Sequence, residues 1–277
     1  MNEKEFDLII GPNKKIDKAL KEVWQYKDLF YFLAWRDFKV RYKQTIIGAL
    51  WAFLRPLLTM IVFTIIFGKI AGLPSQGETP YAIMVFVAML PWYFFASSFQ
   101  EGSNALVANS NMISKVYFPR IIVPISSLFV NFIDFLISLS ILGLLMIYYQ
   151  FMPSINILLL PLFLLLAAAF TIATIFWMSA LNVKYRDIRY IVPFVVQFGL
   201  YVSPVGFASE VVTNQWRFLY SLNPMVGVID GFRWCILGEN VVFYWPGFIL
   251  SIVITLFLLV SGYLYFTKTE RKFADII

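Results

Sequence analysis

The sequence predicts an all-α integral membrane protein with six transmembrane helices, an N-terminal amphipathic helix lying in the cytoplasmic interface, and a re-entrant helical hairpin before the last span. Three observations lead there. Of 277 residues, 60% are hydrophobic and only 14% charged, whereas a soluble domain carries about 25% charged residues. Six stretches approach or exceed the roughly 20 apolar residues that a helix needs to cross a hydrocarbon core of about 30 Å. The basic residues between them are dense and sparse by turns, the asymmetry that orients helices in a bilayer.

The six spans are Thr45 to Ile70, Tyr81 to Gln100, Ile121 to Gln150, Ile155 to Leu181, Tyr190 to Ala208 and Trp245 to Phe266. The chain reads as one transmembrane domain over 1–277. Residues 1–44 form a cytoplasmic N-terminal segment, 45–208 hold spans one to five, 209–244 the outer hairpin, and 245–277 span six with a cytoplasmic tail. Before the first span Tyr31, Trp35, Phe38 and Tyr42 recur at helical spacing beside a basic row of Arg36, Lys39 and Lys43, the pattern of a helix that rests on a membrane surface. Between Ser209 and Tyr244 two apolar runs, each too short to span, are parted by Asn223 and Pro224. That pair reads as a re-entrant hairpin, which at membrane depth must be satisfied by protein or a watery cavity. Prolines at 56, 91, 124, 161, 193 and 204 each kink a span or start a helix.

Lys and Arg number ten in 1–44, two in 101–120, three in 182–189 and three after 266, so eighteen of 22 fall on one side. The positive-inside rule places both termini and both of those loops in the cytoplasm. The charged opening from Met1 to Lys43 lacks the apolar core of a cleavable signal. There is no His and one Cys, Cys235, which rules out His/Cys metal sites, internal disulfides and His-based triads.

The phosphate-cradling loop, in which Lys and Ser or Thr follow a Gly-rich turn, is missing; the only Gly-Lys pair, Gly68 and Lys69, is followed by Ile70. Asp187, Glu210, Asp230 and Glu239 are scattered rather than convergent, so no catalytic carboxylate pair is in view and the chain is not expected to be an enzyme. Two ionisable residues fall well within spans, Arg55 and Asp134. Intramembrane charges cost about 2.5–3.5 kcal/mol each, and a structural ion pair between these two would neutralise both; the alternative has Arg55 snorkelling and Asp134 bonded to a neighbouring helix.

Several segments resemble a known family. IIGALWAFLRPLLTMIVFTIIFG from Ile46, ISKVYFPRIIVPIS from Ile113, LNVKYRDIRYIVPFVVQ from Leu181, YVSPVGF from Tyr201, YSLNPMVGVIDGFRWCILG from Tyr220 and FTKTERKFADII from Phe266 are similar, in order and nearly end to end, to the permease subunit of ABC-2 type exporters of O-antigen, capsular polysaccharide or teichoic acid. The resemblance implies a homodimer in the bacterial cytoplasmic (inner) membrane that exports a lipid-linked glycan and binds two separate ATPase subunits. ATP and Mg would be held by the ATPase, with no cofactor on this chain and no nucleic acid as partner. It implies an ATPase-coupling loop that includes Asn109, Asn111, Ser114, Lys115, Tyr117, Phe118 and Arg120, and a second cytoplasmic loop with Tyr185, Arg186, Asp187 and Arg189. Aromatic walls suit a sliding glycan because they give many weak contacts, and Trp51, Trp92, Tyr93, Phe95, Tyr201 and Phe207 are the channel candidates. An ABC-2 exporter of another lipid or a drug, or a carrier that works without an ATPase, is the alternative.

Overall fold

The computed structural model describes residues 24–43, 46–270 and 273, and among these there is no strand. The helices are α1 (Lys27–Lys43), α2 (Ile46–Phe63), α3 (Tyr81–Ala108), α4 (Ser110–Ile113), α5 (Ile122–Tyr148), α6 (Leu160–Lys184), α7 (Ile188–Val202), α8 (Asn214–Tyr220), α9 (Pro224–Leu237) and α10 (Trp245–Glu270). A π-helical stretch, Thr64–Ile70, prolongs α2, and a 3-10 turn, Ile155–Leu159, leads into α6. Among the described residues five helical stretches are long and apolar enough to cross a membrane: Phe53–Ile70, Tyr81–Ala108, Ile122–Tyr148, Ile155–Lys184 and Trp245–Glu270.

The fifth expected span comes out shorter than Tyr190 to Ala208. Helix α7 has 15 residues, about 22 Å of rise against roughly 30 Å of hydrocarbon. It stops where Ser203 turns extended, with φ −82° and ψ 153°. The cause is Pro204, whose ring disfavours helical backbone in the residue before it. The second span errs the other way, because α3 continues eight residues past Gln100 to Ala108. Charge at Glu101 marked a boundary in the sequence, but the run Glu101–Ala108 contains no proline and the helix carries straight through it.

Helix α3 is the central post: 89% of its apolar window is buried inside the protein, against 17–33% for the other four. It packs on α5, α6, α9 and α2. The 14-residue α9 is the second buried element, with 13 of its residues buried, whereas no residue of α8 is. Close approach makes this burial possible. A Cβ at Gly231 would lie 2.0 Å from the Phe163 ring, so only glycine lets α9 settle on α6.

A smaller core closes the end of the bundle that carries the basic loops, hereafter the basic end. Leu33, Leu106, Ile113, Phe118, Ile122, Phe266 and Phe273 pack there. Helix α1 joins through Leu33 and Ala34, while its stacked row Tyr31, Trp35 and Phe38 turns away from the bundle, with Tyr31 62% exposed. Leu33 packs with Ile122, and eight residues later Arg41 reaches Asn131 and Asp134. Helix α1 therefore follows the first half of α5 for about 12 Å.

Candidate functional site

At the basic end, α3 gives way at Asn109 to the single turn of α4 and the loop to α5. Asn109 is fixed from both sides: its Oδ1 accepts from Arg36 Nη2 at 3.0 Å and its Nδ2 donates to the Ala105 carbonyl at 2.8 Å. Phe118 is 4% exposed and belongs to the small core. Arg120 donates its backbone N–H to Glu270 Oε1 at 2.8 Å and its Nη1 to the Glu270 carbonyl. Of the seven residues expected in the coupling loop, these three hold the loop to the bundle. The other four, Asn111, Ser114, Lys115 and Tyr117, are exposed, and Val116, missed in the sequence, is exposed beside them. Tyr185, Arg186, Asp187 and Arg189 are exposed as well, and the Lys184 ammonium stands 4.9 Å above the Tyr185 ring.

Deeper along α3 lies a charge cluster whose composition corrects the expected ion pair. Asp134 Oδ2 accepts from Arg41 Nη1 at 2.6 Å, and its Oδ1 accepts from the Tyr42 hydroxyl. The partner of Asp134 is therefore Arg41, and Arg55 instead stands 5.3 Å over the Tyr93 ring. Arg41 also pairs with Glu101 through Nη2. Asn131 closes the network, accepting from Arg41 Nη1 at 3.1 Å and donating to Glu101 Oε2 at 2.9 Å. Burial, then the hydrogen bond to Asp134 and its charge, raises the Tyr42 phenol well above its ordinary value. Sequence reading missed Arg41 because its helix was assigned to the membrane surface, and Glu101 because it was counted in a loop. The available signal was Arg41 at the end of a periodic aromatic stretch, about one helical turn before the first span.

Toward the opposite end, α7 stands off from the bundle and leaves a cleft of about 600 Å³ between α3, α6, α7 and α10. Its walls are rings: Phe95 stacks on Phe99 and Phe170, at 5.4 and 5.2 Å, with Trp92 and Trp177 beside them and Phe198 at the rim. Of the channel candidates, Trp92 and Phe95 line this cleft. Tyr93 faces α2 and donates its hydroxyl to Thr59 at 2.8 Å. Tyr201 is 60% exposed, Phe207 lies against the Tyr220 ring, and the side chain of Trp51 lies outside the described residues.

The break after α7 needs an explanation, since unpaired carbonyls inside a membrane protein cost several kcal/mol each, on the order of 1–3 even with relaxation. Arg233 on α9 supplies it. This fully buried side chain donates to the carbonyls of Val205 at 3.1 Å, Phe207 at 2.9 Å and Met84 at 3.4 Å. The Tyr81 hydroxyl donates to the intervening Gly206 carbonyl. At the head of α9, Asn223 caps the helix by accepting from Met225 N–H at 3.1 Å, and its Nδ2 donates to Ser203 Oγ at 3.0 Å. The SPVGF stretch and the NP and GFR residues, singled out separately in the sequence, meet here in one place.

Residues 28–237 match the family described as ABC-2 type transporter. The O-antigen export system permease protein RfbA of Myxococcus xanthus is 28% identical over 218 residues, covering 78% of this chain and 83% of that protein. A protein of the same name from Klebsiella pneumoniae is 26% identical over 257 residues, covering 90% and 95%. The family match opens on α1 and closes at the last residue of α9, so it takes in the 109–120 loop, the charge cluster and the Arg233 pin together. The chain belongs to the ABC-2 type transporter family.

Proposed function

We propose that this chain is the permease subunit of an ABC transporter that exports an O-antigen-like, lipid-linked polysaccharide across the bacterial inner membrane, driven by ATP and Mg on a separate subunit. The observation that carries it is collinear similarity over nine-tenths of the chain to a permease named for O-antigen export. In this reading α7 with the pinned 203–208 segment makes the fifth of six crossings, α8 and α9 form a hairpin entering from the outer side, and α1 rests its exposed aromatic row in the inner interface. Both termini lie in the cytoplasm, as the eighteen basic residues on that side require. Two copies pair and bind two ATPase subunits.

The exposed tip Ser114–Tyr117 is the docking surface, and closure of the ATPase dimer pushes on it. The glycan then threads between the two copies in steps, with the exposed Tyr201 ring as the candidate wall contact. The test is copurification with the ATPase encoded beside it, followed by ATPase assays. Lys115→Ala with Tyr117→Ala is expected to leave the permease folded while abolishing its effect on hydrolysis and stopping surface polymer. Unchanged hydrolysis and export in that variant would overturn the docking assignment.

A further inference from the structure

The aromatic cleft is unsuited to the glycan. Each polar group on its lining already has a partner: Thr174 Oγ1 donates to the carbonyls of Phe170 and Thr171, Trp177 Nε1 to Ser261 Oγ, and Asn223 and Ser203 bond each other. A sugar hydroxyl placed inside would give up its hydrogen bonds to water for walls that are almost wholly apolar. Water is excluded on the same ground, since a buried molecule needs two to four polar partners. Yet an empty space of about 600 Å³ would deprive its lining of dispersion contacts. The occupant must be apolar.

Shape and access narrow it further. The lining on α7 runs from Ile191 to Val202, about 16 Å along the helix axis and half of a bilayer core. The rim residues Phe194, Val195 and Phe198 are exposed, as is the apolar row Val253, Phe257 and Val260 of α10, which the spanning reading turns toward lipid. Gly199 lets α7 approach the post closely: a Cβ there would meet the Trp92 ring at 2.7 Å. From these observations we infer that the cleft between α3, α6, α7 and α10 is a binding site for one extended hydrocarbon chain, entering sideways from the bilayer.

The site stands on cleft chemistry alone; only the source of the chain, resident phospholipid or the tail of the exported lipid-linked molecule, rests on the export reading. The experiment reconstitutes the full chain in phosphatidylethanolamine and phosphatidylglycerol vesicles doped with a phospholipid carrying a diazirine on one acyl chain, irradiates, and maps adducts by mass spectrometry. Adducts are expected on residues 92–99 and 170–178 as well as on the lipid-facing 253–260. Thr174→Phe, which fills the cleft, and Val195→Trp, which blocks its rim, are each expected to lower labelling of 92–99 roughly tenfold, the loss that follows from expelling two methylenes from an apolar site. Labelling of 253–260 should not change. Adducts confined to 253–260, or cleft adducts indifferent to both variants, would overturn the inference. An excess of unlabelled polyprenyl phosphate distinguishes the sources: displaced labelling assigns the site to the substrate's tail, and retained labelling assigns it to a resident acyl chain. Since labelling is read without export, it fails or succeeds independently of the transport function.

Discussion

Replacing Arg41 by Met tests whether the charge cluster, rather than apolar packing alone, fixes α1 to the bundle. The substitution keeps an unbranched apolar stem in place of the guanidinium-bearing chain and removes two charge-assisted bonds, to Asp134 and Glu101. Such bonds contribute about 1.5–3 kcal/mol each. Side-chain exposures of 28% for Arg41, 41% for Glu101 and 29% for Asp134 argue for the lower end, so the expected loss is about 3 kcal/mol, at the foot of the range for orphaning a buried partner. For a chain of this size that corresponds to a fall in Tm of about 6–12 °C, read by intrinsic fluorescence of the purified protein in one detergent. Adding Glu101→Gln and Asp134→Asn should restore more than half of the loss, since the damage lies in uncompensated carboxylates. Arg55→Met supplies the contrast, because a cation–π contact over Tyr93 is worth only about 0.5–1 kcal/mol. If Arg41→Met melts within about 2 °C of the parent, or if the triple variant is worse than the single one, the cluster does not hold α1.

Two further outcomes follow from the same geometry. Arg233→Met leaves three buried carbonyls and should cost more than about 3 kcal/mol, seen as loss of membrane accumulation by immunoblot, and Arg233→Lys should recover little because an ammonium cannot reproduce the planar fork. Phe118→Ala should cost about 3–5 kcal/mol through the cavity it opens, whereas Lys115→Ala, three residues away but exposed, should shift stability by no more than about 0.5 kcal/mol in the same thermal assay.

Membrane spans were legible because hydrophobicity over 20 or so residues is dictated by the solvent, whatever the neighbours are. Three of the six expected stretches recur within a few residues as helices long enough to cross, the second recurs with eight residues added at its end, and the first persists as Phe53–Ile70. What escaped was partnership between distant segments. Asp134 was rightly marked as a charge that must be neutralised, but two arginines, at 41 and 55, stood at plausible distances in sequence, and helix length alone does not say which face each presents. The end of α3 was misplaced for a related reason: a glutamate signals where lipid ends in an isolated span, yet here Arg41 and Asn131 allow Glu101 to remain on a helix that runs on. The cleft was half visible. Trp92 and Phe95 were named, but Phe99, Phe170 and Trp177 complete it, and each of those looks, taken singly, like any other apolar residue of a span.

If the 109–120 loop is the ATPase dock proposed above, it shows why structural and functional residues are interleaved there. A tip that receives a push must be exposed, yet a tip on a soft loop would absorb the push by bending. The chain meets both needs by alternation: Asn109, Phe118 and Arg120 tie the loop to α1, to the small core and to the end of α10, while Ser114 to Tyr117 stand free. Helix α1 is then fastened at two levels, through Arg36 to Asn109 and through Arg41 to Glu101 and Asp134. A displacement of the tip is therefore shared by α1, α3, α5 and α10 instead of being lost in four residues of loop. Under the export reading, this bracing delivers motion from an ATPase to the spans, and it explains why a residue that never touches a partner, Arg41, should matter to coupling as much as to stability.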